Sequence, residues 1–236
     1  MLSDLKKDLK KLADPQKAKF YPRFFKTGPG QYSEGDKFIG VTVPNIRAVV
    51  KKFQLLSIAD LKTLLKSPIH EERLCSLLIL VDQFGNGDKK DKDKIYNFYL
   101  SSTKYINNWD LVDLSADKIV GEYLQDKPRD ILLKLAKSKD LWERRMAVVA
   151  TFSFIKKEDA SWTIKIAKIL LNDKHDLIQK AVGWMLREVG KRVERKILVD
   201  FLDEYANQMP RTTLRYAIEH FPENERQKNL RVKAKP

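Results

Sequence analysis

The 236-residue sequence contains a single cysteine and three histidines, and it has no long apolar run. Cys75 can form no intrachain disulfide, which fits a reducing compartment. No stretch of about 18 apolar residues is present, so no transmembrane span is expected. Residues 1–7 are charged and lack the apolar core of a secretory signal, and we therefore expect a cytoplasmic location.

The scarcity of metal-ligating and nucleophilic residues argues against several enzyme classes. His70, His175 and His220 are far apart and show no paired ligand spacing, so neither a metal nor another cofactor is expected. Cys75 lies in an apolar helical stretch, which is typical of a core residue and not of a nucleophile. The turn-rich segment 28–36 lacks a phosphate-loop pattern and does not connect a strand to a helix.

Acidic residues are outnumbered, with 46 Lys and Arg against 32 Asp and Glu, a net charge of +14 and a pI near 9.6. A charge of this sign indicates a polyanionic partner, with nucleic acid favoured over an anionic membrane surface. The 43% of hydrophobic residues is enough for a globular core. Charge and composition therefore direct attention to nucleic-acid binding.

Helical patterns dominate the chain. Residues 2–13, 15–26 and 44–53 are predicted to be helices, and Phe38–Val43 is the only strand-like stretch. From there on, apolar helical segments alternate with short polar breaks. The basic segment 226–236 has almost no apolar residues and is expected to fray.

Small or apolar residues recur with a nearly constant period in the central helices. The spacings between successive positions are 36, 36, 34 and 36 residues, for Cys75, Leu111, Ala147, Ala181 and Ala217. Such a period predicts an all-α, right-handed α-solenoid of HEAT-like, armadillo-type helical repeats. We expect one domain over residues 1–225, with N-terminal helices in 1–53 and repeats over about 54–225, followed by the tail.

Trp109 and Asp113 stand four residues apart, so on a helix their side chains lie on one face. A large aromatic beside a carboxylate is a poor core pair, because a buried carboxylate needs a partner. The pair suits a site where positive charge develops beside an aromatic face. On this motif alone, an exposed acid beside a half-buried tryptophan is the simpler interpretation.

Helical phase places further basic and aromatic residues on the same side of the predicted inner helices. On a helical wheel that starts from the repeat position of each helix, four residues fall at the same angle: Arg73, Trp109, Arg145 and Arg215. Four more fall within about 140° of that angle: Asp113, Arg187, Lys180 and Trp184. Basic residues interleaved with aromatics on a solenoid face are typical of nucleic-acid binding. Each arginine is equally suited to an ion pair within the fold, with Glu143, Glu188 or Glu219 as partner.

Three segments resemble the AlkD family of DNA alkylation repair glycosylases, which are built of HEAT-like repeats. They are Trp-Asp-Leu-Val-Asp at 109–113, Leu-Trp-Glu-Arg-Arg-Met-Ala at 141–147 and Gln-Lys-Ala-Val-Gly-Trp-Met-Leu-Arg-Glu at 179–188. The segment from Phe25 to Pro44 also resembles many members. The likeness spans roughly residues 20–220, and the first and third motifs are specific in combination.

The resemblance implies a role for each matched residue. Asp113 resembles the catalytic carboxylate of the family, and Trp109 and Trp184 resemble its two tryptophans that pack against the deoxyribose. Arg145 and Arg187 match basic residues for which phosphate contact is expected. Phe24 stands where well-known members have an aromatic hydroxyl, so a hydrogen bond from that position would be absent.

The function implied by the resemblance is excision of cationic N3- and N7-alkylated purines from double-stranded DNA in base excision repair, by a monomer without a cofactor. One alternative is a relative that binds distorted or branched DNA without excision, since the family contains members with weak or no activity. The other is a protein-interaction scaffold, which would favour an apolar or acidic groove. DNA binding that weakens steeply with salt would count against the scaffold.

Overall fold

The computed structural model describes residues 1–232, and helices are the regular secondary structure of this range. The predicted all-α class is confirmed. Contacts divide the chain into two compact units, residues 1–119 and the part from Val120 onward. The boundaries predicted for one repeat domain stay a prediction. Residues 233–236, the end of the predicted basic tail, lie outside the described residues.

The first unit is formed by α-helices that leave one long irregular segment, residues 26–42, between the second and the third. Its helices are α1 (Leu2–Lys11), α2 (Pro15–Phe25), α3 (Val43–Val50), α4 (Ile58–Leu65), α5 (His70–Asn86), α6 (Lys89–Ser101) and α7 (Trp109–Asp113). The centre is α5, against which α3, α4, α6 and α7 pack. Helix α7, with five residues, therefore rests on the most buried helix of the unit.

The second unit is centred on a long helix near the C-terminus. Its helices are α8 (Asp130–Ala136), α9 (Leu141–Ala150), α10 (Phe152–Ile155), α11 (Ser161–Ile169), α12 (Asp176–Arg192), α13 (Arg195–Tyr205), α14 (Arg211–Ala217) and α15 (Glu223–Leu230). Helices α9, α11, α13 and α14 all pack against α12. The predicted basic tail, residues 226–236, overlaps α15. Residues 226–230, which were expected to fray, are therefore helical.

Side-chain caps fix where several helices begin. The Asp14 carboxylate accepts hydrogen bonds from the backbone N–H groups of Gln16 and Lys17 at 2.9 and 3.1 Å, and Pro15 takes the first helical position of α2. The Asp140 carboxylate accepts from Trp142 and Glu143 at 2.8 and 3.0 Å. Such caps satisfy N–H groups that have no partner within the helix, which explains why these boundaries follow the sequence signals.

The prediction of a strand at Phe38–Val43 is wrong. Gly40 in this segment has a φ of 84°, Val43 already belongs to α3, and the isolated parallel bridge between Lys37 and Ile69 lies just before the segment. The N–H groups of Ile39, Gly40 and Val41 donate instead to the Glu71 carboxylate at 2.8–3.2 Å. One buried side chain of α5 thus supplies the acceptors that a neighbouring strand would otherwise provide.

The five positions of the predicted period lie in α5, α7, α9, α12 and α14, and each is at most 1% exposed. Near one of these positions, Ala181, helices α12 and α14 approach each other closely at Gly183. A Cβ atom added at Gly183 of α12 would stand 2.5 Å from the Thr213 oxygen and from Tyr216 Cβ of α14. Only glycine fits there, because any side chain would push the two helices apart.

Within residues 1–232, no helix combines the length and the apolar character needed to cross a membrane.

Candidate active site

Trp109 and Asp113 are the first and last residues of α7, and both side chains are half-buried. Four residues of α-helix advance about 6 Å, so the two side chains lie one above the other on one face. Asn108 caps the helix, with its side-chain oxygen accepting from the Trp109 N–H at 2.8 Å. Trp109 and Asp113 therefore share one face of α7 in the first unit.

The indole of Trp109 packs against two aromatic rings of α2. The Phe25 ring stacks on it with centroids 5.4 Å apart and an interplanar angle of 14°. The Phe24 ring meets it edge-on at 5.9 Å and 73°. Phe24 is 51% exposed and stands beside Phe20, which is 58% exposed. Phe24, which the family resemblance singles out, thus contacts Trp109, and so does Phe25, for which the sequence predicts no role.

Cations border this aromatic surface. Lys19, Arg23 and Lys26 are exposed on α2 or directly after it. Lys26 has a φ of 57°, in the left-handed region where glycine is the favoured residue. Lys26 therefore ends α2 directly after Phe25 and places an exposed cation there. Aromatic rings flanked by cations can bind the bases and the backbone of a nucleic acid.

A hydrogen-bonded chain lies beneath α7. The buried Tyr99 hydroxyl donates to Ser115 Oγ at 2.8 Å, and Ser115 Oγ donates to the carbonyl oxygen of Leu111. Burial, with the negative charges of Asp117 and Asp113, raises the pKa of Tyr99, so the phenol stays a neutral donor. This chain ties the middle of α7 to α6.

A second polar cluster, the His70 cluster, holds the start of α7. We define it as Ser33, Asp36, His70, Arg73, Asn108 and Asp110, all buried. His70 stands between Asp36 and Asp110, with ring nitrogens 3.2 and 2.8 Å from their carboxylates. Sequence reasoning missed this cluster, because its members come from three segments of the first unit. The signal in the sequence that points to this cluster is Asp110, an acid directly after Trp109.

DNA contact from Arg73 stays a prediction, and the fold gives this residue other partners. Its side chain is buried, lies 2.6 Å from the Asp36 carboxylate and donates to the carbonyl oxygen of Ser67 at 3.0 Å. Helical phase fixes the angular position of Arg73 on α5. It does not show that residues 26–42 cover this position and bring Asp36 to the guanidinium.

Helix α12 carries three of the predicted site residues of the second unit. Trp184 is half-buried, and its ring lies 6.1 Å from that of Phe152 at an angle of 39°. Lys180 pairs with Asp176 at 2.6 Å, and Arg187 pairs with Glu188 at 3.2 Å and with Glu219. The ion pairs weighed from the sequence are thus formed at Arg187.

The other two arginines of the second unit that are predicted to bind DNA, Arg145 and Arg215, differ in exposure. Arg145 is 5% exposed and its Nη1 donates to the Leu177 carbonyl oxygen at the start of α12. This contact explains its burial, and phosphate contact by Arg145 stays a prediction. Arg215 is exposed, and within residues 1–232 it forms no ion pair. Of the predicted basic residues, Arg215 is the best placed to meet a ligand from solution.

Metal-assisted chemistry has no candidate ligand set here. Among residues 1–232 there is no group of three His, Cys, Asp or Glu side chains placed to hold a metal ion. The Cys75 thiol is buried, which raises its pKa and keeps it protonated. What the site offers chemically is one carboxylate beside an aromatic face.

Comparisons with known proteins agree with the resemblance found in the sequence. Residues 5–221 match the family model described as "DNA alkylation repair enzyme". A solved structure described as a predicted DNA alkylation repair enzyme from Enterococcus faecalis is similar with a TM-score of 0.68, over 89% of this chain and 97% of that one. The two sequences are 15% identical, so this likeness shows a shared fold. No protein with a curated description matches the chain.

Proposed function

Because the chain belongs to the family of DNA alkylation repair enzymes, we propose that it is a DNA glycosylase that excises cationic N3- and N7-alkylated purines from double-stranded DNA. The observation that carries the proposal is the position of Trp109 and Asp113 on one face of α7. The reaction is hydrolysis of the N-glycosidic bond, with release of the alkylated base.

The chemistry needs few groups. A purine alkylated at N3 or N7 carries a positive charge and leaves without protonation by a strong acid. As the bond breaks, its electron pair moves to the base and positive charge develops on the sugar. The Asp113 carboxylate stabilises that charge and orients the attacking water, and the face of Trp109 adds a cation–π contribution. Since each ~1.4 kcal/mol is a tenfold change in rate, a small set of contacts is sufficient.

Charge supports double-stranded DNA as the substrate. The net charge of +14 favours a polyanion, and Lys19, Arg23 and Lys26 place cations beside the aromatic surface of the first unit. Arg215, Lys180 and Arg187 supply cations in the second unit, with ion pairs at the latter two that phosphate would have to replace. Trp184 is assigned to the deoxyribose by its match to the family motif.

The test is single-turnover release of 7-methylguanine from duplex DNA by the wild-type protein, Asp113→Asn and the matched control Asp200→Asn. Asp200 is an exposed carboxylate that pairs with Lys196 on α13. We expect release by wild type and the control, and a rate lower by roughly a hundredfold in Asp113→Asn, about 2.7 kcal/mol. Equal rates for all three proteins would exclude Asp113 as the stabilising charge.

A second candidate is a DNA-binding protein without excision activity that recognises distorted or branched DNA. Phe24 favours it, because this position lacks the hydroxyl that the resemblance leads one to expect, and because exposed rings suit unstacked bases. The same assay separates the two functions. Salt-sensitive DNA binding without any base release by wild type would support the second candidate.

A further inference from the structure

The centre of the His70 cluster is a ring that is bonded on both sides. His70 is the first residue of α5 and is 2% exposed. Its Nε2 lies 2.8 Å from Asp110 Oδ2, and its Nδ1 lies 3.2 Å from Asp36 Oδ2. The rings of Phe38 and Phe25 cover it, with centroids at 4.7 and 5.0 Å. Water is thereby excluded, and both ring nitrogens face carboxylates.

This geometry requires a doubly protonated ring. Neutral imidazole has one N–H donor, whereas an ionised carboxylate only accepts, so two carboxylate partners call for the imidazolium. In a singly protonated ring, Nδ1 would instead accept a hydrogen bond from Arg73 Nη2, which is 3.5 Å away. That length is at the limit for a hydrogen bond, and the same Nη2 lies 2.6 Å from Asp36.

Charge balance leads to the same conclusion. The buried groups are two carboxylates, Asp36 and Asp110, and one guanidinium, Arg73. A neutral ring would leave a net negative charge in a site shielded from water, which is costly. An imidazolium makes the cluster neutral.

The cluster is connected to the capping residue and to the second residue of α7. Asp110 is the second residue of α7, and its other carboxylate oxygen accepts from the Leu111 N–H at 2.9 Å. The capping residue Asn108 donates to Asp36 at 3.3 Å and to Ser33 Oγ. A five-residue helix has too few internal hydrogen bonds to hold its own geometry. The orientation of α7 therefore depends on tethers to neighbouring elements, and those of the His70 cluster hold its first turn.

We propose that His70, as an imidazolium, is a positioning residue that locks the first turn of α7 and so fixes the indole of Trp109 and the carboxylate of Asp113 for base excision. The catalytic part of this inference rests on the proposed function. His70 touches neither reacting group, and acts through Asp110, through the Asn108–Asp36 contact and through the Phe25 ring that lies between it and Trp109.

The pKa values of the cluster agree with this role. Burial alone lowers the pKa of His70, but the carboxylates of Asp110 and Asp36 outweigh burial and raise it to about 9, against the opposing charge of Arg73. Burial raises the pKa of Asp36, yet the bond from His70 and the charge of Arg73 hold it below its ordinary value. Those are the charged groups that face the ring, from α7, from residues 26–42 and from α5.

The first experiment reads the ring directly and does not depend on activity. Nitrogen-15 histidine NMR of the full chain near neutral pH is expected to show a histidine signal with two protonated nitrogens that is absent in His70→Gln and retained in His220→Gln. In protein labelled with fluorotryptophan, the resonance lost in Trp109→Phe is expected to shift as the pH rises through about 9. Asp110→Asn should abolish that shift. A neutral His70 near neutral pH, or an unchanged Trp109 resonance across this titration, overturns the proposal.

The second experiment links position to catalysis. We expect Asp110→Asn and His70→Gln to release 7-methylguanine roughly ten- to a hundredfold more slowly at saturating protein, with little change in the Kd for DNA. The wild-type rate should fall as the pH rises through about 9, and the variants should lack this fall. His220→Gln, which removes an exposed histidine, should match wild type. Should His70→Gln not fold, Asp110→Asn and the wild-type titrations remain decisive.

The two proposals fail in different ways. If wild type releases no base, the proposed function fails while the NMR titrations still test whether His70 fixes α7. If wild type releases base and Asp110→Asn does so at the same rate and pH dependence, the glycosylase stands and the positioning role of His70 is refuted.

Discussion

The ring of Phe25 stacks on the indole of Trp109, with centroids 5.4 Å apart and ring planes 14° from parallel. Phe25 is buried and also contacts Phe38 and His70, so one face of the indole is fixed by the core of the first unit. A tryptophan that offers a rigid face to a substrate needs such a backing. The stacked pair therefore connects the packing of α2 to the chemistry proposed for α7.

Replacing Phe25 with leucine is expected to slow single-turnover excision by roughly two- to tenfold, because an aromatic pair contributes about 0.5–1.5 kcal/mol beyond its buried area. Phe221→Leu removes a comparable ring from the second unit and serves as the control. The assay is release of 7-methylguanine at saturating protein. A Phe25→Leu rate equal to that of the control would show that stacking does not support Trp109.

The two tryptophans assigned to the sugar are expected to contribute to the rate more than to binding. Trp109→Phe and Trp184→Phe should each slow excision by roughly three- to thirtyfold, since a cation–π contact is worth about 0.5–2 kcal/mol. Trp162→Phe, on α11, should leave the rate unchanged. Single-turnover rates and DNA affinities are measured for all three. A loss of affinity without a loss of rate would assign the indoles to binding alone.

Excision is expected to depend on the charge of the lesion. Without a strong acid to protonate the leaving base, a neutral lesion such as hypoxanthine should be released at least about a hundredfold more slowly than 7-methylguanine, a difference of roughly 2.7 kcal/mol. The comparison uses two duplexes of one sequence that differ in the lesion only. Similar rates would mean that a protonating group acts on the base, contrary to the mechanism derived for Asp113.

Stability is expected to fall in alkaline solution because of His70. Its folded-state pKa of about 9 lies above the unfolded value of 6.5, so its contribution is fully present below pH 6.5 and is lost as the pH rises through 9. We expect this loss to be on the order of 3 kcal/mol in the free energy of unfolding. Urea titrations of wild type, His70→Gln and the control His220→Gln measure it. A fall of equal size in His70→Gln would assign it to other groups.

Two arginines with equal helical phase are expected to behave oppositely. Arg73→Gln leaves the buried Asp36 without its guanidinium and should lower the free energy of unfolding by about 3 kcal/mol. Arg215→Gln, at an exposed position, should change it by less than about 0.5 kcal/mol. It should instead reduce the salt dependence of DNA binding by about one ion. An unchanged free energy of unfolding in Arg73→Gln would instead favour a ligand-binding role for Arg73.

The helices and the Trp109–Asp113 pair could be predicted from the sequence because they depend on local patterns. Apolar period and capping residues set α1, α2 and α9, and a four-residue spacing is enough to place two side chains on one face. The equivalence of the five repeat positions agrees with the burial of each of them. Local signals thus sufficed for the fold class and for placing Trp109 and Asp113 on one helix.

The errors came from contacts between distant segments. The stretch at Phe38–Val43 has the composition of a strand, but its acceptors belong to Glu71, about thirty residues further along the chain. Helical phase gives the angular position of Arg73 on α5, but it does not predict that residues 26–42 cover this position. The role of His70 required Asp36 and Asp110 to meet, which no spacing in the sequence encodes.

The contact of Glu71 with three successive amides also governs how residues 39–41 open to solvent. Their N–H groups are bound by a side chain anchored in α5, so they are exposed when that anchor is lost and not when a strand edge frays. In hydrogen–deuterium exchange, these amides should therefore exchange together, at the slow rate set by the start of α5. An irregular segment can in this way share the kinetic stability of the most buried helix of its unit.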